Sequence, residues 1–118
     1  MSYKLKNDIY SKHRGSKSKL INLNCEHCGV QVAIYQKDGP GPLKYVYFDR
    51  IFSPNKLVGL ENKKIDEVQN WDCFKCNSPL GIPFLFKKDA GKYAGEERLA
   101  FRIFESSIIK TICKNVGL

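Results

Sequence analysis

The chain has 118 residues, of which 42% are hydrophobic and 27% charged, and this length and composition favour a single globular domain. No apolar run approaches the roughly 20 residues that a membrane-spanning helix needs, and no apolar stretch follows the charged N-terminus. The sequence therefore predicts a cytoplasmic protein and not a membrane or secreted one. Its formal net charge of +8 makes an anionic binding partner one of the candidates.

The basic residues are concentrated at the N-terminus. Residues 1–20 contain six lysine and arginine residues, with Asp8 as the only acidic one. Residues 1–19 offer little to a hydrophobic core and are predicted to form a flexible basic arm. Residues 20–118 are predicted to form a single domain.

This domain is predicted to be mainly β. Glycine and proline predict turns at 37–42 and 89–95, while the polar residues 53–66 predict a long connection or a short helix. Pro83 indicates a sheet edge or a bend. Alternating apolar and β-branched residues predict strands at 20–23, 30–35, 43–52, 68–71, 80–86 and 98–113.

Two Cys-x-x-Cys pairs carry the clearest chemical signal, Cys25 with Cys28 and Cys73 with Cys76. Two thiolates at this spacing can bind one metal ion while the backbone turns tightly beneath them, and Gly29 follows the first pair directly. Zinc takes four such ligands tetrahedrally, which leaves no coordination position for catalysis. The pattern predicts one structural zinc ion, so that residues 20–118 become a zinc-binding β domain.

Other roles for the thiols are less well supported. A redox Cys-x-x-Cys motif would begin a helix in a βαβ unit, and neither pair has that setting. His27 lies inside the first pair and is interpreted as exposed or as a neighbour of the ligands, because four thiols already complete the shell. Cys113 stands in an apolar stretch, where a buried inert thiol is favoured over a nucleophile.

The 44 residues between the pairs, 29–72, are more than a compact zinc ribbon usually has. This separation resembles the β-tent zinc domains, the fold of methionine sulfoxide reductase B, Yippee, the ligand-binding domain of cereblon and a glutathione-dependent formaldehyde-activating family. The resemblance covers about residues 20–112. It implies two antiparallel sheets that lean together, with the zinc site joining their ends.

The best local match is to methionine sulfoxide reductase B. Its second cysteine pair is followed by Leu-Gly and then Phe, much as Leu80, Gly81 and Phe84 follow here. Residues 100–105 are the nearest counterpart of the strand that carries that family's catalytic cysteine, and Arg102 occupies the place of the nucleophile. The paired histidines of the reductase pocket are also absent. The resemblance therefore implies the scaffold without the reductase activity.

The other families of this fold are matched less well. Cereblon-type domains hold ligands in a cage of three tryptophans, and this chain has Trp71 alone. The formaldehyde-activating enzymes need extra cysteines for a second, catalytic zinc, which Cys113 cannot supply by itself. Fold alone does not fix function.

Basic and aromatic residues alternate within residues 43–52. Exposed rings there could stack on bases while the cations meet phosphates. In the alternative interpretation, the rings pack between the sheets and the two basic residues lie at the solvent edge. The candidate contacts are Lys44, Tyr45, Tyr47 and Arg50.

Arg98 and Arg102 are expected on one face of a strand. Ion pairs with nearby glutamates (Glu96, Glu97 and Glu105) are the simpler interpretation, and an anion site is the alternative.

Three functional hypotheses follow. The first is a non-catalytic zinc-stabilised β-tent domain that binds another macromolecule, with the partner left open between a protein and a nucleic acid. The second is a nucleic-acid-binding protein that uses the basic arm and strand 43–52, with affinity that falls as salt rises. The third is a small-molecule-binding or redox enzyme, which is disfavoured because no nucleophile–base pair and no open metal position are found.

Overall fold

The computed structural model describes residues 3–6, 18–39, 42–87, 97–112 and 116–117. The strands they form are β1 (Tyr3–Lys4), β2 (Ser18–Cys25), β3 (Gln31–Asp38), β4 (Tyr45–Tyr47), β5 (Ile51–Ser53), β6 (Trp71–Asp72), β7 (Pro79–Lys87), β8 (Glu97–Ile103), β9 (Ile108–Ile112) and β10 (Val116–Gly117). Short 3₁₀ helices span Phe48–Arg50, Asn55–Leu57, Leu60–Asn62 and Ile65–Glu67.

The domain is mainly β, as predicted, and contains two four-stranded antiparallel sheets with the four cysteines between them. The first sheet, here called sheet B, has the order β5-β3-β2-β9, and the second, sheet C, has the order β4-β8-β7-β6. The short strands β1 and β10 pair in parallel beside them.

The hydrophobic core lies between the two sheets. Alternation along β2 turns Ile21, Leu23 and Cys25 toward the core, and sheet C contributes Val46 and Phe101, all of them 3% exposed or less. The rings of Phe48 and Trp71 pack against Phe101 with centroids 4.7 and 5.1 Å apart. These contacts bury apolar surface from both sheets in one cluster.

A buried tyrosine also connects the sheets. Tyr35 of β3 is 2% exposed, and its hydroxyl oxygen accepts a hydrogen bond of 3.0 Å from the backbone N–H of Tyr47 in β4. Burial raises the pKa of Tyr35 well above its ordinary value, so the hydroxyl stays protonated.

The predicted strand at 43–52 is wrong as one element. The chain forms β4, turns through Phe48–Arg50 and then forms β5, which belongs to the other sheet. The physical reason is burial of Arg50 at 1% exposure, where its Nε lies 2.8 Å from a carboxylate oxygen of Asp38. The segment is therefore a crossing between the sheets.

The predicted strand at 98–113 is likewise two strands. β8 in sheet C and β9 in sheet B are separated by a tight turn, in which Ser106 has a φ of 61° and Ser107 N–H donates to Phe104 O. Pro83 lies in β7 beyond the two-residue strand β6. Among the described strands, β7 is paired there with β8 alone, which agrees with the edge that Pro83 predicts.

Several predictions fall on residues outside the described ones. They are the turn at 89–95 and Cys113, together with most of the N-terminal arm, 7–17. Strand β2 begins at Ser18, two residues before its predicted start. Near the N-terminus, the backbone of Lys6 exchanges hydrogen bonds of 2.6 and 2.7 Å with the side-chain amide of Gln36.

Candidate metal centre and adjoining surfaces

The first cysteine pair begins where β2 ends. Cys25 N–H donates to Val30 O, and Gly29 N–H donates to Cys25 O, each at 2.8 Å. Gly29 has a φ of 80°, a left-handed conformation that glycine adopts at low cost. The turn closes beneath the pair and holds both thiols on one side of the backbone.

The second cysteine pair has the same construction. Cys73 N–H donates to Ser78 O at 2.8 Å, and Asn77 N–H donates to Cys73 O at 2.9 Å. Asn77 has a φ of 62° and occupies the position that Gly29 holds in the first turn. The cysteine spacing does not identify Asn77, but its residue type is a signal, because asparagine tolerates the left-handed region better than most residues.

The four sulfur atoms form a compact cluster. The Sγ atoms of Cys25 and Cys76 are 3.7 Å apart, those of Cys28 and Cys73 are 3.6 Å apart, and all four lie within 4.8 Å of one another. A tetrahedron with Zn–S bonds of about 2.3 Å has edges of about 3.8 Å. The cluster could hold one metal ion, and its size and donor chemistry fit zinc.

The thiols of this cluster differ in acidity. The Ser78 hydroxyl, 3.1 Å from the Cys76 sulfur, together with the Ser78 backbone, lowers the pKa of Cys76 to about 6. The backbone at Val30 also lowers the pKa of Cys28, but burial and hydrogen bonds with the other thiols outweigh it and raise that pKa to about 11. Since metal ligands are thiolates, a dication would favour deprotonation of the whole set.

The burial of the ligands suits a structural site. Cys25 and Cys73 are 0% and 1% exposed, whereas Cys28 and Cys76 are half-buried. His27 is exposed, as the sequence predicts, and the cluster consists of cysteines alone. A bound ion would have four protein ligands and so no position for a substrate.

The aromatic residues of β4 lie on the outer face of sheet C. Tyr45 and Tyr47 alternate with the core residue Val46, so they point away from sheet B. Tyr45 is half-buried and stacks on Phe84, with ring centroids 5.3 Å apart. Tyr47 is 8% exposed. Neither ring packs between the sheets, and Tyr45 is the more accessible of the two.

The two arginines of β8 share that outer face but differ in environment. The Arg98 guanidinium lies 3.8 Å from the centre of the Tyr47 ring and donates to an Asp49 carboxylate oxygen at 2.8 Å. Arg102 is exposed and lies opposite Tyr45 in the strand pairing. Arg98 therefore has an ion pair with Asp49, a residue that the sequence pattern does not indicate as its partner, and Arg50 lies inside the protein instead of at the solvent edge.

A cavity of about 690 Å³ opens between the edges of the two sheets. Among the described residues, no ion pair joins its three exposed cations, Lys44, Arg102 and Lys110, to an acidic group, and Glu105 is the one acidic residue in its lining. The apolar part of the lining is formed by Pro42, Leu43, Tyr45, Ile103, Phe104 and Ile108.

The sequence alone does not point to Lys110 as a member of this group. It lies on β9 of sheet B, whereas Arg102 lies on β8 of sheet C and Lys44 directly precedes the neighbouring strand β4. Lys110 is far from Lys44 along the chain, so the sequence does not show that the two residues border the same cavity. Their proximity depends on how the two sheets lean together. The candidate contacts Lys44, Tyr45 and Arg102 are thus brought together around one cavity, with Lys110 as an addition.

Comparison of the chain with protein-family models, with curated proteins and with solved structures finds no match. In the part of the chain that the structure describes, no helix has the length and apolar character required to cross a membrane.

Proposed function

We propose that this chain is a non-catalytic domain, stabilised by one structural zinc ion, that binds an anionic macromolecule. The observation that carries the proposal is the cavity bordered by Lys44, Arg102 and Lys110, three exposed cations without an ion pair among the described residues. Exposed cations around a cavity with a partly apolar lining favour a ligand that carries both negative charge and apolar surface. A cavity between open sheet edges also suits an extended chain.

The zinc part of the proposal rests on the cysteine cluster. Its sulfur separations fit a tetrahedral ion, and structural zinc sites of this type contribute directly to folding. The two antiparallel sheets with the cluster between them support membership of the β-tent fold, and reduced thiols are consistent with the cytoplasm.

The enzyme hypothesis has little support. The four cysteines of the described part of the chain all belong to the cluster, and Arg102 stands at the position that corresponds to the reductase nucleophile. No described residues form a nucleophile hydrogen-bonded to a histidine base, since the described histidine, His27, is exposed beside the cluster.

Binding to polyanions tests the proposal. Fluorescence anisotropy would compare the wild type with a variant that carries Lys44→Ala, Arg102→Ala and Lys110→Ala, using labelled polyglutamate and a labelled 20-mer oligothymidylate. Each exposed cation contributes about 0.5–1 kcal/mol to such pairing, so the triple variant should lose about tenfold or more in affinity.

A matched control removes the same charge elsewhere. Lys56, Lys63 and Lys64 are exposed and do not line the cavity, and their alanine variant should retain most of the affinity. Equal losses in both variants, or no binding by the wild type, would contradict the proposal. Zinc analysis of the same samples should give about one ion per chain.

Nucleic acid is the second candidate partner. The half-buried Tyr45, stacked on Phe84 and lying opposite Arg102, gives sheet C an accessible ring beside a cation, and bases stack on such rings. Preferential binding of oligothymidylate, reduced by Tyr45→Ala and steeply dependent on salt, would support this candidate over a protein partner.

A further inference from the structure

Among the described strands, β9 is the outermost strand of sheet B. It pairs with β2 along Ile108–Ile112, and no described strand pairs with it on its other side. The bond from Glu26 N–H to Ser107 O fixes the alternation of hydrogen bonds between β2 and β9. It follows that Ile109 and Thr111 bond to β2, whereas the N–H and C=O groups of Ile108, Lys110 and Ile112 point toward the open edge.

The side chains of the same three residues lie on the inter-sheet face. Ile108, Lys110 and Ile112 stand opposite Cys25, Leu23 and Ile21, which belong to the core. Ile112 is nevertheless 71% exposed, and Ile108 and Lys110 line the cavity. No described segment therefore covers the interior along this edge, where an apolar surface and a row of backbone hydrogen-bonding groups occur together.

The charge around the edge restricts what could cover it. Lys110 of β9 and Lys44 and Arg102 of sheet C all border the cavity, against Glu105 alone. A second copy paired antiparallel through β9, centred on Lys110, would place two lysines opposite each other, which is unfavourable. The chain's own N-terminal residues are strongly basic and would be repelled as well.

We propose that β9 accepts an extended acidic segment of a partner protein as an additional strand. The inward-facing residues of that segment would follow the pattern apolar, acidic, apolar at alternate positions. The central carboxylate then stands beside Lys110 and faces the cavity that Lys44 and Arg102 border, and the apolar side chains cover Ile108 and Ile112. Strand addition provides the affinity through backbone hydrogen bonds, and the alternating side chains provide the specificity.

This inference rests on the proposed function and narrows it to one partner class. The probe is a fluorescein-labelled peptide with the sequence threonine-valine-threonine-glutamate-threonine-valine-threonine. A second peptide has the same sequence with N-methyl groups on the two valines and the glutamate, whose amides would face β9 when the glutamate side chain points inward, which keeps the charge but blocks that pairing. A third has lysine in place of glutamate.

Anisotropy titrations are expected to show binding of the first peptide and at least tenfold weaker binding of the N-methylated and lysine peptides. The charge exchange Lys110→Glu should abolish binding of the glutamate peptide and restore binding of the lysine peptide. Hydrogen exchange of the wild-type protein should slow at the Lys110 and Ile112 amides when the first peptide binds. These amides point outward, whereas those bonded to β2 are already protected.

A proline variant tests the backbone directly. Lys110→Pro removes an outward N–H without breaking a bond to β2, and proline is tolerated on such an edge. Its affinity should be at least fivefold below that of Lys110→Ala, which removes only the charge. Zinc content and circular dichroism verify that both variants fold, and the N-methylated peptide gives the same test without altering the protein.

The outcomes separate this inference from the proposed function. Equal binding of the first and N-methylated peptides would overturn strand addition while leaving an anion-binding domain in place. Binding of oligothymidylate through the same three cations, with no binding of the acidic peptide, would overturn the inference in favour of nucleic acid. Binding of none of the probes would overturn both.

Discussion

Asp38→Asn is expected to destabilise the domain by about 3 kcal/mol, because it leaves a guanidinium buried without its main carboxylate. Arg50 and Asp38 have side-chain exposures of 1% and 6%, and their Nε and Oδ2 atoms are 2.8 Å apart. The other oxygen of Asp38 accepts hydrogen bonds from Ser18 at 2.6 Å and Gln36 at 2.8 Å. The carboxylate therefore joins β2, β3 and the crossing between the sheets.

The magnitude follows from these contacts. Removing one partner of a buried ion pair costs about 3–5 kcal/mol. The low end applies here because asparagine keeps one acceptor oxygen and Arg50 retains a 3.9 Å contact with Asp49. For a domain of this size, about 3 kcal/mol corresponds to a fall in Tm of about 10 °C or more.

Differential scanning calorimetry and urea unfolding, both in excess zinc, measure this effect. The exposed pair of Lys87 with Glu97, 3.7 Å apart, provides the control, and Glu97→Gln should change the stability by less than about 0.5 kcal/mol. A double variant with Asp38→Leu and Arg50→Met removes both charges and should recover much of the loss. A cost below about 1 kcal/mol for Asp38→Asn would refute the assignment of this pair as a structural element.

Three further changes test the metal centre and the sheet beside the cavity. Cys73→Ser, or a strong chelator, should prevent stable folding and zinc retention, as measured by circular dichroism and metal analysis. Acidification should also release the ion, because its ligands must be thiolates. Full folding of the protein without metal would contradict a structural role for the ion. Asn77→Ala should lower the free energy of unfolding in urea by about 1 kcal/mol, whereas Asn77→Gly should leave it nearly unchanged, because the φ of 62° is left-handed. Equal effects of the two substitutions would contradict this explanation. Gly81→Ala should lower the Tm, since the new Cβ would lie 2.7 Å from the Arg102 backbone oxygen, and an unchanged Tm would show that β7 and β8 can separate there without cost.

The parts of the fold that the sequence predicts well are governed by local patterns. The Cys-x-x-Cys spacing indicates both turns of the metal centre, and the β-branched run at 30–35 lies in strand β3 from Gln31 onward. The long predicted strand at 43–52 fails because strand-favouring residues (Tyr45, Val46, Tyr47, Ile51 and Phe52) lie on both sides of the break, and the strand-disfavouring Asp49 is outweighed by them. The break is set by Arg50, which must reach Asp38 in the interior.

The candidate site shows the same division between local and long-range information. Lys44, Tyr45 and Arg102 are found from their own neighbourhoods, since each lies beside other basic or aromatic residues. Lys110 joins them only because β8 and β9 belong to different sheets whose edges meet at the cavity. That relation depends on the turn at Phe104–Ser107, which interrupts an otherwise continuous alternating pattern.

The metal centre and the open edge are linked by how this small domain is held together. A metal ion held by the cluster would join the end of β2 in sheet B to the turn after β6 in sheet C, and so fasten the two sheets through four side chains. A cross-link of this kind provides stability that a larger core or further strand pairing would otherwise have to supply. Because such an ion would fasten one end of the domain, the edges at β9 and β4 need not pair with each other. The zinc would then serve binding by allowing the domain to fold while its edge remains available.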